Sequence, residues 1–401
     1  MRICLVYDCL FPYTVGGAER WYRNLAERLG AEGHQVTFLT RRQWDRGTKV
    51  DVPGVRVVAL EPRMGLYTAD GRRRIDQALV FGAGCLAHFA LHGGDYDVVH
   101  TASFPYFSLL AAVAVRPLRR FGLVVVWLEV WTREYWREYL GGAGTIGWLV
   151  QRLCARARQR AFCFSRLHAR RLRAEGVRGE VTVLEGEYAG PLEPHPGAEP
   201  RKPVAVFAGR HIAEKRVPAL VPALARARER VPDLRAEILG DGPDRPAVQR
   251  AVAAAGLDDA IHVPGFVPAE RVDAALAEGE MMVLPSRREG YGMVVVEAAA
   301  RGTPSVVVAG PDNAATELIE EGVNGVVAAS ADPDDLADAM IRVHEAGPAL
   351  RASTADWFAR SARRLSMAAS LDRVSAEYVG ADRRRARRRA RRPGGARSGA
   401  G

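Results

Sequence analysis

The sequence predicts an α/β protein with two doubly wound domains, each built on a parallel sheet with crossover helices. Short apolar runs alternate with amphipathic stretches of helical spacing along the 401 residues, which is the pattern of such sheets. A segment with five prolines, 189–203, interrupts the alternation as a predicted linker, and the alternation then restarts. Since 48% of the residues are hydrophobic, the chain has enough apolar material for two cores.

The strands of both domains are predicted from short apolar runs. Those of the first domain, 1–188, are 3–7, 35–40, 55–59, 97–101, 123–128, 160–164 and 181–184. Those of the second domain, 204–355, are 204–208, 234–239, 261–263, 280–285, 304–308 and 325–328. Helices are predicted over 18–29 and, at the C-terminus, over 356–380. Because parallel sheets bind ligands at the carboxyl ends of their strands, function is expected at the strand-to-helix junctions that face the cleft between the domains.

The net charge of +10 is concentrated at the end of the sequence. Residues 381–401 contain nine Arg and one Asp, which leaves +2 for the rest of the chain. Runs of like charge without an apolar face usually stay solvated, so this Arg-rich tail is predicted to be disordered. Weak association of the tail with an anionic membrane surface stays open, and nucleic-acid binding is the less favoured alternative.

Four further observations limit the class of protein. The start, MRICLVYD, predicts a strand rather than a signal peptide, and no apolar run reaches the roughly 18 residues of a membrane span. A cytoplasmic protein is therefore expected, with peripheral contact at the inner membrane face left open. The five cysteines lack C-x-x-C spacing and are predicted to be reduced core residues. Asp95-x-Asp97 starts a strand away from the expected cleft, so no metal site and no cofactor are predicted.

The junction after strand 204–208 carries two cations. Arg210 follows the strand, and Lys215 opens the next helix. Both can reach one point beyond the strand end, where a helix N-terminus already favours an anion. Lys49, Lys202 and Lys215 are the only lysines of the chain, and a compact ammonium suits a site where a planar guanidinium does not fit. A diphosphate site is predicted, with an exposed structural lysine as the alternative.

The junction after strand 280–285 carries two carboxylates and two glycines. Glu289 precedes Gly290 and Gly292, and Glu297 follows on the helix that starts near Gly292. Both carboxylates are placed to accept hydrogen bonds from sugar and ribose hydroxyls. The glycines would let the backbone approach a ligand closely. The alternative is a solvent-facing Glu297 after a tight turn.

The order and spacing of these motifs resemble the retaining glycosyltransferase family 4, which has the GT-B fold of two Rossmann-like domains facing a cleft. The resemblance runs through most of the second domain and rests on Arg210 with Lys215, Gly240-Asp241-Gly242-Pro243, Gly265-Phe266-Val267 and a Glu-x7-Glu pattern after Pro285-Ser286. It implies that Arg210 and Lys215 hold the diphosphate of a nucleotide-sugar donor. It also implies that Glu289 contacts the donor sugar and that Glu297 contacts the ribose.

The resemblance implies further contacts with the substrates. Phe266 and Val267 would flank the nucleobase. The helix start after Glu289 would approach the donor through Gly290, Tyr291, Gly292 and Met293. Gly16 and Gly17 resemble the glycine-rich first loop of the family and would lie across the cleft. Residues 356–380 are expected to return to the first domain, as terminal helices of GT-B proteins often do.

One position departs from the family pattern. At the end of strand 123–128, where a His would touch the donor sugar near its 6-position, the sequence has Leu128, followed by Glu129. Three interpretations stay open. The enzyme relies on the Leu128 backbone carbonyl in place of the imidazole, or its donor has an apolar group at C6, as in a 6-deoxy sugar, or its activity is reduced. Glu129 is a candidate acceptor-side base in place of the missing imidazole.

Other side chains are candidates for the acceptor side of the cleft. His100 follows an apolar run and is a candidate cleft residue, with a structural His bonded to backbone as the alternative. Aromatic side chains that could form an acceptor floor or belong to the core are Phe104, Tyr106, Trp127, Trp131, Tyr135 and Trp136.

The predicted activity is the metal-independent, retaining transfer of a hexose or deoxyhexose from a nucleotide-diphosphate sugar to a hydroxyl of a glycan, lipid or secondary metabolite. The resemblance implies front-face transfer, in which Arg210 and Lys215 stabilise the departing diphosphate. Two alternatives stay open: a nucleotide-sugar-binding protein of the same fold with weak or lost catalysis, and a nucleotide-sugar epimerase.

Overall fold

The first domain is built on a seven-stranded parallel sheet. The computed structural model describes residues 1–60, 62–66, 74–195 and 203–390, with side chains as far as Tyr378. The strands of the first sheet are β1 Arg2–Val6, β2 Gln35–Arg41, β3 Val55–Leu60, β4 Val98–Ala102, β5 Gly122–Trp127, β6 Arg160–Cys163 and β7 Val181–Val183. Their order is β3-β2-β1-β4-β5-β6-β7.

The second domain has a six-stranded parallel sheet and a separate pair of short strands. These strands are β8 Val204–Ala208, β9 Arg235–Leu239, β10 Ile261–Gly265, β11 Met281–Leu284, β12 Arg288–Glu289, β13 Ser305–Val308, β14 Asp312–Asn313 and β15 Gly325–Ala328. The large sheet has the order β10-β9-β8-β11-β13-β15, and β12 pairs with β14. The prediction of two doubly wound parallel-sheet domains is confirmed.

Helices cover both faces of each sheet. They are α1 Gly17–Ala31, α2 Ile75–His92, α3 Tyr106–Arg119, α4 Arg133–Leu140, α5 Gly144–Arg156, α6 Arg166–Ala174, α7 Leu220–Arg228, α8 Arg245–Ala255, α9 Ala269–Glu278, α10 Met293–Ala300, α11 Pro333–Leu365 and α12 Met367–Ala390. Single 3-10 turns lie at Gly93–Asp95, Gly141–Ala143, Ala213–Lys215, Val217–Ala219 and Ala314–Leu318. Helix α11 is broken at Gly347, where φ is 55° and Pro348 follows.

The first sheet is buried on both faces, which explains its continuous apolar strands. In β1, Cys4 and Val6 share one core with α2, α3 and α5. Ile3 and Leu5 point to the other face and share a core with α1 and α12. The alternation of side chains along each strand thus divides the helices into two layers.

Helix α12 lies against the first domain. Asp372 accepts a hydrogen bond from Arg28 of α1 at 2.5 Å, and Tyr378 bonds to His100 of β4. The helix extends to Ala390 and so covers the first part of the tail that the sequence predicts to be disordered. Arg and Ala are strong helix formers, and a helix that has already begun needs no new nucleus. Residues 391–401 and part of the predicted linker, 196–202, lie outside the described residues.

Glu187, just after the first sheet, makes stability depend on pH. Burial raises the pKa of its carboxyl from 4.5 to about 7. The folded protein therefore holds this proton more tightly than the unfolded chain, and stability falls as pH rises from about 4.5 to about 7, by up to about 3 kcal/mol. Glu187→Gln should remove this part of the pH dependence of the melting temperature. The exposed Glu193→Gln is the matched control, and an unchanged slope in Glu187→Gln would contradict the assignment.

Candidate active site

A cavity of about 650 Å³ lies between the two domains. The first domain contributes the chain after β1, β4 and β5 and the start of α1, and the second domain contributes the chain after β8 and β9 and part of β12. The cavity is thus at the carboxyl ends of the central strands of both sheets, where such sheets bind ligands. Predicted site residues in its wall are Gly16, Gly17, Leu128, Glu129 and Arg210.

The two predicted cations of the second domain lie on one short connection after β8. Arg210 is exposed and lines the cavity. Lys215 ends the 3-10 turn Ala213–Lys215, and its ammonium donates a hydrogen bond to the Glu289 carboxylate. Only about a tenth of Glu289 is exposed. The structure therefore joins the predicted diphosphate residue Lys215 to the predicted sugar-binding residue Glu289 by an ion pair.

Segment 240–243 follows β9 and crosses the end of β8 at close range. Gly240 has φ 118°, and a Cβ there would lie 1.9 Å from the carbonyl oxygen of Gly209. The His211 N–H donates to the same segment at 2.9 Å. Because no other residue type fits this crossing, the glycine is required by geometry. The segment fixes the backbone on both sides of Arg210.

Glu289 is positioned by the short β12–β14 pair. Its register partner is Asn313. The Asn313 side-chain amide donates to the carbonyl oxygens of Ser286 at 3.1 Å and Val308 at 2.8 Å. The side chain of Asn313 thus ties the loop that carries Glu289 to the end of β13. The sequence pattern predicts that Glu289 lies on a loop, and it gives no indication of the support from Asn313.

The two domains approach each other closely at Gly290. A Cβ at this residue would lie 3.0 Å from the Leu128 carbonyl oxygen and 3.2 Å from Cγ of Glu129. Across the same cleft, a Cβ at Gly17 would lie 3.4 Å from Cε of Met293. The Leu128 carbonyl therefore faces the second-domain backbone at Gly290.

Apart from Arg210, the predicted donor residues of the second domain lie outside the wall of this cavity, Lys215 and Glu289 included. Glu297 is half-buried on α10, and burial raises the pKa of its carboxyl while the charge of Arg20 on α1 acts in the opposite direction. Phe266, just after β10, is 79% exposed, and Val267 is half-buried. These positions stay predictions. Tyr291 is buried, and its hydroxyl donates to the Glu185 carbonyl at 2.7 Å, which supports the domain contact.

Glu129 forms an ion pair that spans the cleft. Its carboxylate accepts a hydrogen bond from Trp131 Nε1 at 2.6 Å and pairs with the guanidinium of Arg288. Although burial acts to raise the pKa of Glu129, the charge of Arg288 and the hydrogen bond from Trp131 lower it. A general base needs a pKa near the working pH. The prediction of Glu129 as an acceptor-side base therefore does not fit the structure.

Arg288 is a cavity residue that the sequence did not single out. Its guanidinium lies over the rings of Trp131, at 4.7 Å from the centroid, and Tyr135, at 4.6 Å. It also donates to Glu214 at 3.3 Å. We call Glu129, Trp131, Tyr135, Glu214 and Arg288 the cleft cluster. The chain is rich in arginine, and nothing in the sequence marks this one except its place next to Glu289.

The prediction of His100 as a cleft residue is wrong. The side chain is fully buried, and its Nδ1 bonds to the Tyr378 hydroxyl of α12. Burial lowers the pKa of His100 to about 3, so the ring is neutral. His100 pairs with Leu5 and Val124 in the middle of the sheet. It therefore holds α12 on the first domain.

The aromatic residues divide into cavity wall and core. Phe104, Tyr106 and Trp131 line the cavity. Trp127 is fully buried, and its Nε1 donates to Gln159 at 2.8 Å. The core alternative is thus correct for Trp127, whereas Phe104 and Trp131 leave apolar surface on the first-domain side of the cavity.

Two negative findings apply to the described part of the chain. No group of three or more His, Cys, Asp or Glu side chains there is arranged to hold a metal ion. No helix there is long and apolar enough to cross a bilayer. The five cysteines are free and buried, as predicted.

Both halves of the sequence match known families. Residues 16–186 match the model described as "Glycosyl transferase 4-like domain", and residues 202–346 match the model described as "Glycosyl transferases group 1". Over 178 residues the chain is 34% identical to alpha-D-kanosaminyltransferase of Streptomyces kanamyceticus, in an alignment that covers 44% of this chain and 45% of that protein. The chain spans less than half the length of the first curated relatives that it matches.

Solved structures share the fold over nearly the whole chain. Sucrose-phosphate synthase from Thermosynechococcus elongatus superposes with a TM-score of 0.77 at 19% identity, covering 94% of this chain and 98% of that one. Anabaena HepE in complex with UDP and glucose superposes with a TM-score of 0.70 at 17% identity, covering 94% and 99%. The two family matches and the shared fold show that the chain belongs to the GT-B glycosyltransferases of the family 4 type.

Proposed function

We propose that the chain is a retaining glycosyltransferase that moves a sugar from a nucleotide-diphosphate donor to a hydroxyl acceptor. The observation that carries the proposal is the cavity between the domains, with Arg210 in its wall and the Lys215–Glu289 pair on the same edge of the second sheet. Family membership supports the same reaction class. Side-chain cations neutralise the leaving group in this proposal, so the reaction requires no metal ion.

When the donor binds, the Lys215–Glu289 ion pair can be replaced by contacts of each side chain with the donor. The ammonium would turn from the Glu289 carboxylate to the diphosphate, and Glu289 would then accept hydrogen bonds from the donor sugar. The bond between the anomeric carbon and the diphosphate oxygen breaks, and the acceptor oxygen forms a bond on the same face. The acceptor proton passes to the departing diphosphate, whose charge Arg210 and Lys215 stabilise. Glu129 has a positioning role, because its carboxylate is engaged by Arg288.

In this proposal the acceptor lies against the first domain. Phe104, Trp131 and Leu128 give this side of the cavity apolar surface, and Glu19 adds a carboxylate. Ring faces of this kind pack against the apolar faces of sugars and similar molecules. A glycan, a lipid headgroup or a secondary metabolite with a free hydroxyl fits this description. We place the reaction in the cytoplasm, since five free buried cysteines are typical of a reducing compartment.

A panel of UDP-, GDP-, ADP- and dTDP-sugars tests the donor class. A ligand that binds only the folded protein, present at about 100 times its dissociation constant, stabilises it by about 2.7 kcal/mol, which thermal shift detects. One nucleotide series should raise the melting temperature, and NMR of the product should show the donor's anomeric configuration. Inversion would exclude retention, and no shift with any donor would exclude the proposal. If a donor binds but no product forms, the alternative of a nucleotide-sugar-binding protein with lost catalysis is favoured. If the sugar of the donor is converted to another sugar when no acceptor is present, the epimerase is favoured.

Leu128 provides a test of donor choice. Because an apolar side chain lines the cavity where an imidazole would bond to a 6-hydroxyl, we propose a donor with an apolar group at C6. The wild-type protein should prefer a 6-deoxy donor over its 6-hydroxy counterpart by about tenfold in kcat/KM, the usual size of such pocket discrimination. Leu128→His should reduce or reverse this ratio, and Leu128→Met, which keeps the apolar surface, should preserve it. An unchanged ratio in Leu128→His would exclude the deoxy-sugar proposal.

A further inference from the structure

The outward side of three first-domain helices is unusually apolar. Among the residues that the structure describes, eight of the twelve exposed large apolar side chains lie on α2, α3 and α5. They include Leu86, Leu91, Leu118, Ile146, Leu149 and Leu153. We call the solvent-facing side of α2, α3 and α5 the outer layer.

Helix α5 shows the pattern most clearly. Ile146, Leu149 and Leu153 are 65%, 51% and 62% exposed and follow at i, i+3 and i+7, so they form one stripe along the helix. The opposite side packs on α3 and α4 through Gln151 and Cys154, which are buried. A surface helix of a globular protein normally turns polar residues outwards. Among the residues that the structure describes, the stripe on α5 is therefore apolar surface without a partner.

The exposed side chains belong to one continuous layer. Helix α2 packs against α3, and α3 packs against α5. All three bury their inner sides in one core, through residues such as Phe81, Leu109 and Cys154. Helices α1 and α12 cover the other face of the sheet. The outer layer thus forms one side of the first domain, and Leu118, at the end of α3, is 83% exposed within it.

The charge of the outer layer is positive. Helices α2, α3 and α5 contain four arginines and one aspartate, Asp76. A depression between the ends of α3 and α5 is lined by Arg116, Arg120 and Arg158. This local excess contrasts with the near-neutral charge of the chain without its Arg-rich tail. An anionic surface is the complement of such a layer.

Trp148 adds an interfacial aromatic group. The guanidinium groups of Arg133 and Arg152 lie 5.1 Å and 5.0 Å from its ring centroid, and its Nε1 donates to the Glu175 carboxylate at 3.0 Å. Apolar stripes flanked by arginines and a tryptophan are typical of helices that lie in the headgroup region of a bilayer. The core of a protein interface, in contrast, is depleted of charge.

We propose that the outer layer docks the first domain on an anionic lipid surface. The stripe Ile146, Leu149 and Leu153 enters the boundary between headgroups and acyl chains, and the surrounding arginines contact lipid phosphates. None of the exposed apolar side chains of the outer layer lines the cavity or belongs to residues 381–401, so the proposal depends neither on the donor chemistry nor on the Arg-rich tail.

Vesicle sedimentation with the full chain tests the apolar stripe. The protein should bind vesicles of phosphatidylcholine with a quarter phosphatidylglycerol, and bind less as salt rises from about 0.1 to about 0.5 M. The triple variant Ile146→Ser, Leu149→Ser, Leu153→Ser should lose at least about tenfold in partitioning. Leu192→Ser, an exposed leucine outside the outer layer, is the matched control and should bind as the wild type. Because these positions are exposed, the melting temperatures should stay unchanged, which checks folding.

Two further variants separate the possible causes of binding. Arg120→Glu with Arg156→Glu should weaken binding to the anionic vesicles and leave the residual binding to phosphatidylcholine unchanged. A full-length variant with every Arg of 381–401 replaced by Gln should retain binding. If the triple serine variant binds as the wild type, or if only the tail variant loses binding, the proposal is overturned. It is also overturned if the triple variant changes the oligomeric state but not vesicle binding, because the layer is then a protein interface.

Discussion

Lys215→Met is expected to lower kcat/KM for the nucleotide-sugar donor by about a thousandfold. The substitution keeps the length of the side chain and removes the ammonium that pairs with Glu289. Removing one preorganised group that stabilises developing charge typically costs about 10²–10³ in kcat. Steady-state kinetics with the donor found by the panel measures the loss. Lys49→Met, the same change at an exposed lysine outside the cavity, should leave kcat/KM unchanged.

The loss of activity must be separated from a loss of stability. Lys215→Met leaves the buried Glu289 carboxylate without its ammonium, which is destabilising, and breaking a buried pair costs about 3–5 kcal/mol. Adding Glu289→Gln removes the uncompensated charge and should restore most of the melting temperature. Activity should stay low in this double variant. A double variant with wild-type activity would show that Lys215 serves the fold alone.

The fold was largely predictable because its strands are buried on both faces. Every strand of the two large sheets overlaps a predicted apolar run, since parallel strands need no alternation with polar residues. The pair β12 and β14 was not predicted. Each strand has only two residues, and their pairing depends on the loop that Asn313 holds, which has no local periodicity. Local sequence pattern cannot predict such a contact.

The site residues that directly follow a strand were predictable, because the end of the strand determines where they lie. Arg210 and Leu128 follow strand ends and therefore reach the cavity edge. The prediction for His100 failed because β4 continues to Ala102, which leaves the imidazole buried between the sheet and α12. Arg288 was missed because three of its partners, Glu129, Trp131 and Tyr135, come from the other domain. A pattern within one domain carries no information about which side chains meet across a cleft.

Arg288→Met is expected to lower kcat/KM by about a hundredfold. Arg288 comes from the second domain, but its guanidinium lies against Trp131 and Tyr135 and pairs with Glu129, all in the first domain. Its loss therefore releases the wall of the cavity at the point where the domains meet, and a small misplacement of reacting groups can cost about 10² in rate. Arg287→Met is the matched control. Its pair with Glu138 also joins the domains but is exposed, and such pairs contribute at most about 1 kcal/mol.

The pH dependence of stability distinguishes the cleft cluster from a generic loss of packing. In the wild-type protein the pKa of Glu129 is lowered by Arg288. The ion pair therefore stabilises the fold fully at pH values above the ordinary glutamate pKa, and this stabilisation is lost only as pH falls through the lowered pKa. Without Arg288, burial opposes ionisation of Glu129. The melting-temperature deficit of Arg288→Met should therefore be larger at about pH 8 than at about pH 5. Adding Glu129→Gln should abolish this difference. A deficit independent of pH, or equal to that of Arg287→Met, would mean that Arg288 does not position Glu129.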